Sequence, residues 1–266
     1  MWIDLILDDL SGFENNQIED FDKSQKVVLS IINRLVKKLK IRHVSKIAIS
    51  LYSRPDIDFI SSPNALIGVI TIDKTFDIRQ VLQYRGDERK EAILQLIEKF
   101  IHEAAEKYGW NFEPFFQVFR EVRKLNYVSK YIYGDFKKAR DRKHSAGIEV
   151  NTKEDGTQIS IVFYNSDECL LKRVEVIKTH QPEFYYYPFL GKAKWKSNRE
   201  FELTNRANTI SFNANLLTGD LNLCFHKGKK SEDQLIDDLL MASSYTHMDQ
   251  VKNMIKDRMK SFVEKM

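Results

Sequence analysis

His102-Glu103-Ala104-Ala105-Glu106 is the stretch of this 266-residue chain nearest to a catalytic signature. A zinc-protease helix places His at i and i+4, so that both imidazoles reach one metal, with the intervening Glu as base. Here Glu106 stands where the second His belongs. Helical spacing also aligns His102 with Glu98 and Glu106, opposite Phe100, Ile101 and Ala104, which describes a solvated helix face. Acidic side chains offer a second chemistry. Asp56 and Asp58 follow Pro55, and Asp73 ends an apolar run. Carboxylates at strand ends can gather around Mg²⁺ for phosphoryl transfer or nucleic-acid cleavage. Lys74, next to Asp73, would point to the other face of a strand, and Pro55-Asp56 has the chemistry of a turn.

Cys169 and Cys224 are the only thiols, 55 positions apart, too few for a disulfide scaffold and too distant for a zinc knuckle. His226 follows Cys224 by two residues, a spacing that shares one face of a strand. No Gly-rich or helix-N-terminal context activates either thiol. Gly-x-Ser-x-Gly, Walker A and Gly-x-Gly-x-x-Gly motifs are absent, so hydrolase, NTPase and dinucleotide signals are missing. No catalytic residue, metal or cofactor is expected on these grounds.

Two segments suit binding instead. Residues 137–144 hold Lys137, Lys138, Arg140, Arg142, Lys143 and His144, which could meet phosphates or an acidic protein surface. Residues 183–189 are Glu-Phe-Tyr-Tyr-Tyr-Pro-Phe, followed by Lys192, Lys194, Trp195 and Lys196. Strand alternation would turn outward either Tyr185 with Tyr187 or Tyr186 alone. Tyr and Trp dominate protein interfaces and also stack bases. The expected partner-binding residues are therefore Tyr185, Tyr186, Tyr187, Lys192, Lys194, Trp195, Lys137, Lys138 and Arg140.

The composition is that of an ordinary globular chain: 42% hydrophobic, 30% charged, 42 Lys plus Arg against 38 Asp plus Glu. Charge is segregated, since residues 1–22 carry seven acids and no base while the middle of the chain is basic. A pI near 8.8 falls short of the footprint expected of nucleic-acid-binding domains. The N-terminus has neither the basic region nor the uninterrupted apolar core of a signal peptide, and no apolar run is long enough to span a bilayer. The setting expected is cytoplasmic, with both thiols free and no membrane contact.

These residues must be carried by elements that the pattern also suggests. Residues 2–7 read as a strand, 24–40 as a helix, and 44–51 and 66–72 as strands. Residues 87–108 read as a strong helix stopped by Gly109. Asn111 and Pro114 open another, with Phe115, Phe116, Phe119, Val122 and Leu125 buried. Apolar periodicity vanishes over 137–144, which is the expected domain boundary. Beyond it the period changes to two. Asp155-Gly156 signals a hairpin between 148–151 and 157–164. Further strands read at 170–179, 185–187, 192–196, 200–203, 209–214 and 221–225. Ser231-Glu-Asp-Gln234 is a capping box that opens a helical tail.

The fold class expected is α+β: a small α/β N-terminal half (1–136), an antiparallel β-rich second half (145–230) and a helical C-terminal tail (231–266). With catalytic signatures missing and charge segregated, the expected function is non-enzymatic protein binding. A cytoplasmic immunity protein, which occludes a toxin in bacterial conflict systems, is of that type. The competing reading is a nucleic-acid-binding or Mg-dependent nucleic-acid-processing enzyme using Asp56, Asp58, Asp73 and the basic run.

Overall fold

Ile and Leu at every second position build the first sheet. Ile3 and Leu5, then Ile47, Ile49 and Leu51, then Ile70 and Ile72, are all buried on one face. The computed structural model describes residues 1–9, 13–39, 41, 43–61, 68–179, 186–226 and 234. In it these segments are β1 (Trp2–Asp9), β2 (Lys46–Tyr52) and β4 (Val69–Thr75), joined at one edge by β3 (Asp58–Ile60) in the order β1-β2-β4-β3. β1, β2 and β4 run parallel, and β3 pairs antiparallel with β4.

Three helices cover the Ile face: α1 (Asn15–Val36), α3 (Gly86–Tyr108) and α4 (Glu113–Lys124), with the single turn α2 (Arg79–Leu82) between β4 and α3. Helix α1 begins at Asn15 rather than at Ser24, because Phe21 extends the buried stripe of Val28, Ile31, Ile32 and Val36 one turn earlier. Gly109 ends α3 at a φ of 65°, a conformation that suits glycine. The other sheet face contributes nothing to this core. Asp4, Ile6, Asp8, Ser50, Tyr52, Thr71 and Asp73 lie on it, with Phe59 of β3 56% exposed. Among the described residues the one helical crossover between parallel strands is α1, and α3 and α4 pack on the same side of the sheet as α1.

The chain divides into two compact units: residues 1–129 with 152–154, and residues 130–151 with the chain from 155 onward. The second unit holds two four-stranded sheets. One contains β5 (Ser129–Lys138), β6 (His144–Lys153), β7 (Gly156–Asn165) and β8 (Leu170–Thr179) in sequential order. The other contains β9 (Lys192–Trp195), β10 (Glu200–Thr204), β11 (Ile210–Asn215) and β12 (Leu221–Phe225), also in sequential order and antiparallel throughout. Ala146, Ile148, Val150, Ile159, Ile161 and Phe163 of the first sheet share one core with Phe201, Leu203, Ile210, Phe212 and Ala214 of the second. The fold class is α+β, with antiparallel sheets in the second half.

Residues 137–144, the expected domain boundary, form the end of β5 and its turn into β6 inside the second unit. Lys137 and Lys138 end β5, Ala139 donates its N–H to the His144 carbonyl at 2.9 Å, and His144 begins β6. An edge strand needs only one buried face, so β5 tolerates Lys on the other and lacks the apolar alternation of a central strand. Tyr186 and Tyr187, expected in a strand, are not in one. Tyr187–Phe189 forms a 3-10 turn around Pro188, which cannot donate to a ladder. Tyr185 lies outside the described residues, as does the expected helical tail apart from Gln234.

Candidate binding surface

The second unit positions most of the basic residues singled out from sequence along one side of its paired sheets. Strand β9 alternates so that Ala193 and Trp195 pack against the core while Lys192 and Lys194 are exposed. The Trp195 ring lies 5.6 Å from Phe163 and 5.3 Å from Phe201, with its indole N–H donating to the Lys137 carbonyl at 2.7 Å. That bond joins β9 to the end of β5, where Lys137, Lys138 and Arg140 are exposed.

A second bond ties the same two edges. Arg206 follows β10 and donates from Nη2 to the Tyr133 hydroxyl of β5 at 3.0 Å, and from Nε to the Leu190 carbonyl at 3.2 Å. Its guanidinium lies 3.8 Å from the centre of the Tyr187 ring, a close cation–π pair. Gly191 allows this closure. A Cβ there would stand 2.1 Å from the Thr204 carbonyl oxygen, so only glycine lets the 187–191 turn approach the end of β10. Nothing in the local sequence of Arg206 signals this role; only the close approach at Gly191 hints at it.

Charge on this surface is mostly uncompensated. Glu202 of β10 is buried and holds Lys194 at 3.3 Å and Lys196 at 3.8 Å. Asp141 lies 3.7 Å from His144 in the β5–β6 turn. Lys137, Lys138, Arg140 and Lys192 are exposed, as is Arg206. The aromatic side chains behave differently. Tyr186 is 2% exposed and belongs to the core, Tyr187 is half-buried under Arg206, and Trp195 packs edge-on against the core ring of Phe201.

The candidate catalytic groups do not converge. Register places Asp58 opposite Lys74 and Phe59 opposite Asp73, so Asp58 and Asp73 occupy opposite faces of the sheet. Lys74 is buried between Asp58 and Glu103, 2.5 Å from each. Asp56 is a turn residue with a φ of 67°. His102 is half-exposed, 3.7 Å from Glu106, with its ring edge-on to Phe112 at 4.6 Å. It lines an open depression of about 510 Å³ with Gln95, Glu98, Lys99, Glu103 and Phe112. Among the described residues no three His, Cys, Asp or Glu gather as a metal site, and no helix is long and apolar enough to cross a membrane.

One pair of carboxylates does interact. On the face of the first sheet away from the helices, Asp73 is pushed above the usual carboxylate range by burial and then by the charge of Asp8, with a hydrogen bond to Ser50 opposing both. Tyr52 is pushed up by burial and by its hydrogen bond to Asp8. No family model, curated protein or solved structure matches this chain.

Proposed function

We propose that the chain is a non-enzymatic binding protein that engages an acidic protein surface through the basic side of its second unit. The observation that carries this reading is the Trp195 to Lys137 hydrogen bond, which fuses two basic segments 58 residues apart into one surface. Lys137, Lys138, Arg140, Lys192 and Lys194 would steer and orient a partner carrying carboxylates, with Arg206 added as a donor fixed by Tyr133 and Tyr187. Single-stranded nucleic acid is the competing partner. Stacking of bases needs free aromatic faces, whereas Tyr186 and Trp195 are packed in the core and Tyr187 is covered by Arg206. That favours carboxylates over nucleotides. A toxin-occluding inhibitor acting in the cytoplasm is the narrower form of the same reading, with an acidic toxin surface as the partner.

The test compares polyglutamate with single-stranded DNA as probes of the full chain. Polyglutamate should bind, more weakly as salt rises. The variant Lys137→Glu/Lys138→Glu/Arg140→Glu/Lys192→Glu should lose roughly tenfold or more in affinity, about 1.4 kcal/mol, at unchanged melting temperature. Tight binding of DNA with none of polyglutamate would overturn the reading, as would equal binding by the variant.

A further inference from the structure

The outer face of the β5–β8 sheet carries an apolar patch. Ala146, Ile148, Ile161 and Phe163 point into the core, so Gly147, Val162 and Tyr164 point the other way. Phe136 of β5 lies on that outer face, because a Cβ at Gly147 would stand 2.9 Å from two carbons of its ring. Gly147 thus leaves open the space that the ring occupies. The Phe136 and Tyr164 rings meet edge to face, 5.3 Å apart at 83°. Leu170 pairs with Tyr164 across β7 and β8, and Leu171 is the extra residue of the bulge beside it. Phe136 and Leu170 are each 45% exposed, and Leu171 is 46% exposed.

Charge around the patch is asymmetric. On the β5 side, Lys138 follows Phe136 by two residues and so shares its face, with Lys137 and Arg140 flanking it. All three are exposed. Asp135 directly precedes Phe136 and so points away from that face. On the far side, the turn from β7 to β8 exposes Asp167 and Glu168. Arg173 of β8 is engaged within the sheet, donating twice to the buried Glu149. A single exposed leucine is ordinary, but two rings and two leucines gathered beside a row of cations have the makeup of an interface core with a polar rim.

We infer that this patch receives the apolar anchor of an acidic partner segment: a bulky Leu, Phe or Trp side chain with carboxylates to one side of it. The inference rests on the reading of the basic side as the partner surface, and adds what the partner must carry besides carboxylates. The anchor packs in the notch between Phe136 and Tyr164, against Leu170. Its neighbouring carboxylates then reach Lys137, Lys138 and Arg140 and keep clear of Asp167 and Glu168. The reverse orientation would set carboxylate against carboxylate, so the charge asymmetry also fixes which way the segment lies. Edge-to-face rings present one face and one edge, a notch that suits a side chain. Successive bases need ring faces free to stack, which this pair does not offer together.

Two probes of equal charge test this on the full chain: an oligoglutamate ending in Trp and the same oligoglutamate ending in Gly. The Trp peptide should bind roughly tenfold more tightly, about 1.4 kcal/mol. Phe136→Ala and Leu170→Ala should each bring it down toward the affinity of the Gly peptide. With a benzophenone in place of the indole, irradiation of the wild type should label the segments around Phe136 and Tyr164–Leu171, which decides the matter even if a variant misfolds. Equal binding of the two peptides would overturn this inference and leave the basic-surface reading standing, whereas binding of neither would overturn both. Labelling confined to other segments would also overturn it. Single-stranded DNA binding that Phe136→Ala abolishes would assign the patch to bases and overturn it as well.

Discussion

The Asn33 side chain on α1 satisfies both main-chain groups of Ile3. Its Oδ1 accepts from the Ile3 N–H at 2.7 Å, and its Nδ2 donates to the Ile3 carbonyl at 2.8 Å. β1 is an edge strand, so those two groups face away from β2 and would otherwise be orphaned in a buried place. The carboxamide therefore replaces a missing neighbour strand and fixes where α1 lies along the sheet.

Asn33→Ala should leave an N–H and a carbonyl unpaired, each costing about 1–3 kcal/mol, so a loss of about 2–6 kcal/mol is expected in urea unfolding. Asn33→Asp keeps the acceptor but turns the second oxygen, which cannot donate, toward the Ile3 carbonyl. It should be worse than Ala at neutral pH and recover partly in acid, where the carboxyl can donate. Loss of less than about 0.5 kcal/mol on Asn33→Ala, the level of an ordinary surface change, would contradict this role.

Gly191 is the residue on which the geometry of the basic surface depends most. A Cβ 2.1 Å from the Thr204 carbonyl oxygen and 2.5 Å from the Asn205 carbonyl carbon meets backbone, which cannot swing aside. Gly191→Ala should cost about 3 kcal/mol or more, at the upper end of overpacking effects. It should also separate Arg206 from Tyr187. A melting temperature within a degree or two of wild type would show that the turn relaxes freely.

Much of the first unit was legible in the sequence because its signal is local. Ile47-x-Ile49-x-Leu51 and the α3 stripe from Ile93 to Ala104 state their period within a few residues. β5 was not, because its inward Tyr131 and Tyr133 are only partly buried and its outward positions are charged near the end. Strand alternation leaves open whether Tyr186 or its two neighbours face outward, whereas Pro188 and Gly191 turn the chain and Tyr186 lies in the core. The bonds from Trp195 to Lys137 and from Arg206 to Tyr133 span 58 and 73 residues, and no spacing rule reports contacts of that kind.

Asp73 should make stability depend on pH in a defined direction. Its folded pKa is raised by burial and by Asp8, so the fold prefers the protonated acid. The contribution is fully present below the unfolded value, about 3.9, and is lost as pH rises through the higher folded value. Asp73→Asn mimics the protonated acid at every pH. It should therefore stabilise the protein at pH 7 and have little effect below about pH 4, as measured by urea midpoints. Asp8→Asn should shrink that gain by removing the second cause. A variant equally stable at both pH values, or less stable at pH 7, would count against this assignment.

Trp195→Phe separates the two roles of the indole. The smaller ring can keep its packing against Phe163 and Phe201, while the N–H that donates to the Lys137 carbonyl is lost. Lys137 is exposed, so water can satisfy its carbonyl, and the stability cost should stay near the net worth of one hydrogen bond, about 1 kcal/mol. Binding should suffer as well, because one of the two ties between β5 and the second sheet is lost and its cations are held less well in one surface with Lys192 and Lys194. Affinity for polyglutamate should fall several-fold, while the quadruple charge reversal added to Trp195→Phe should bring little further loss beyond its own effect. Full affinity in Trp195→Phe at low salt would mean that the two basic segments bind independently, and the fused surface would not be the unit of recognition.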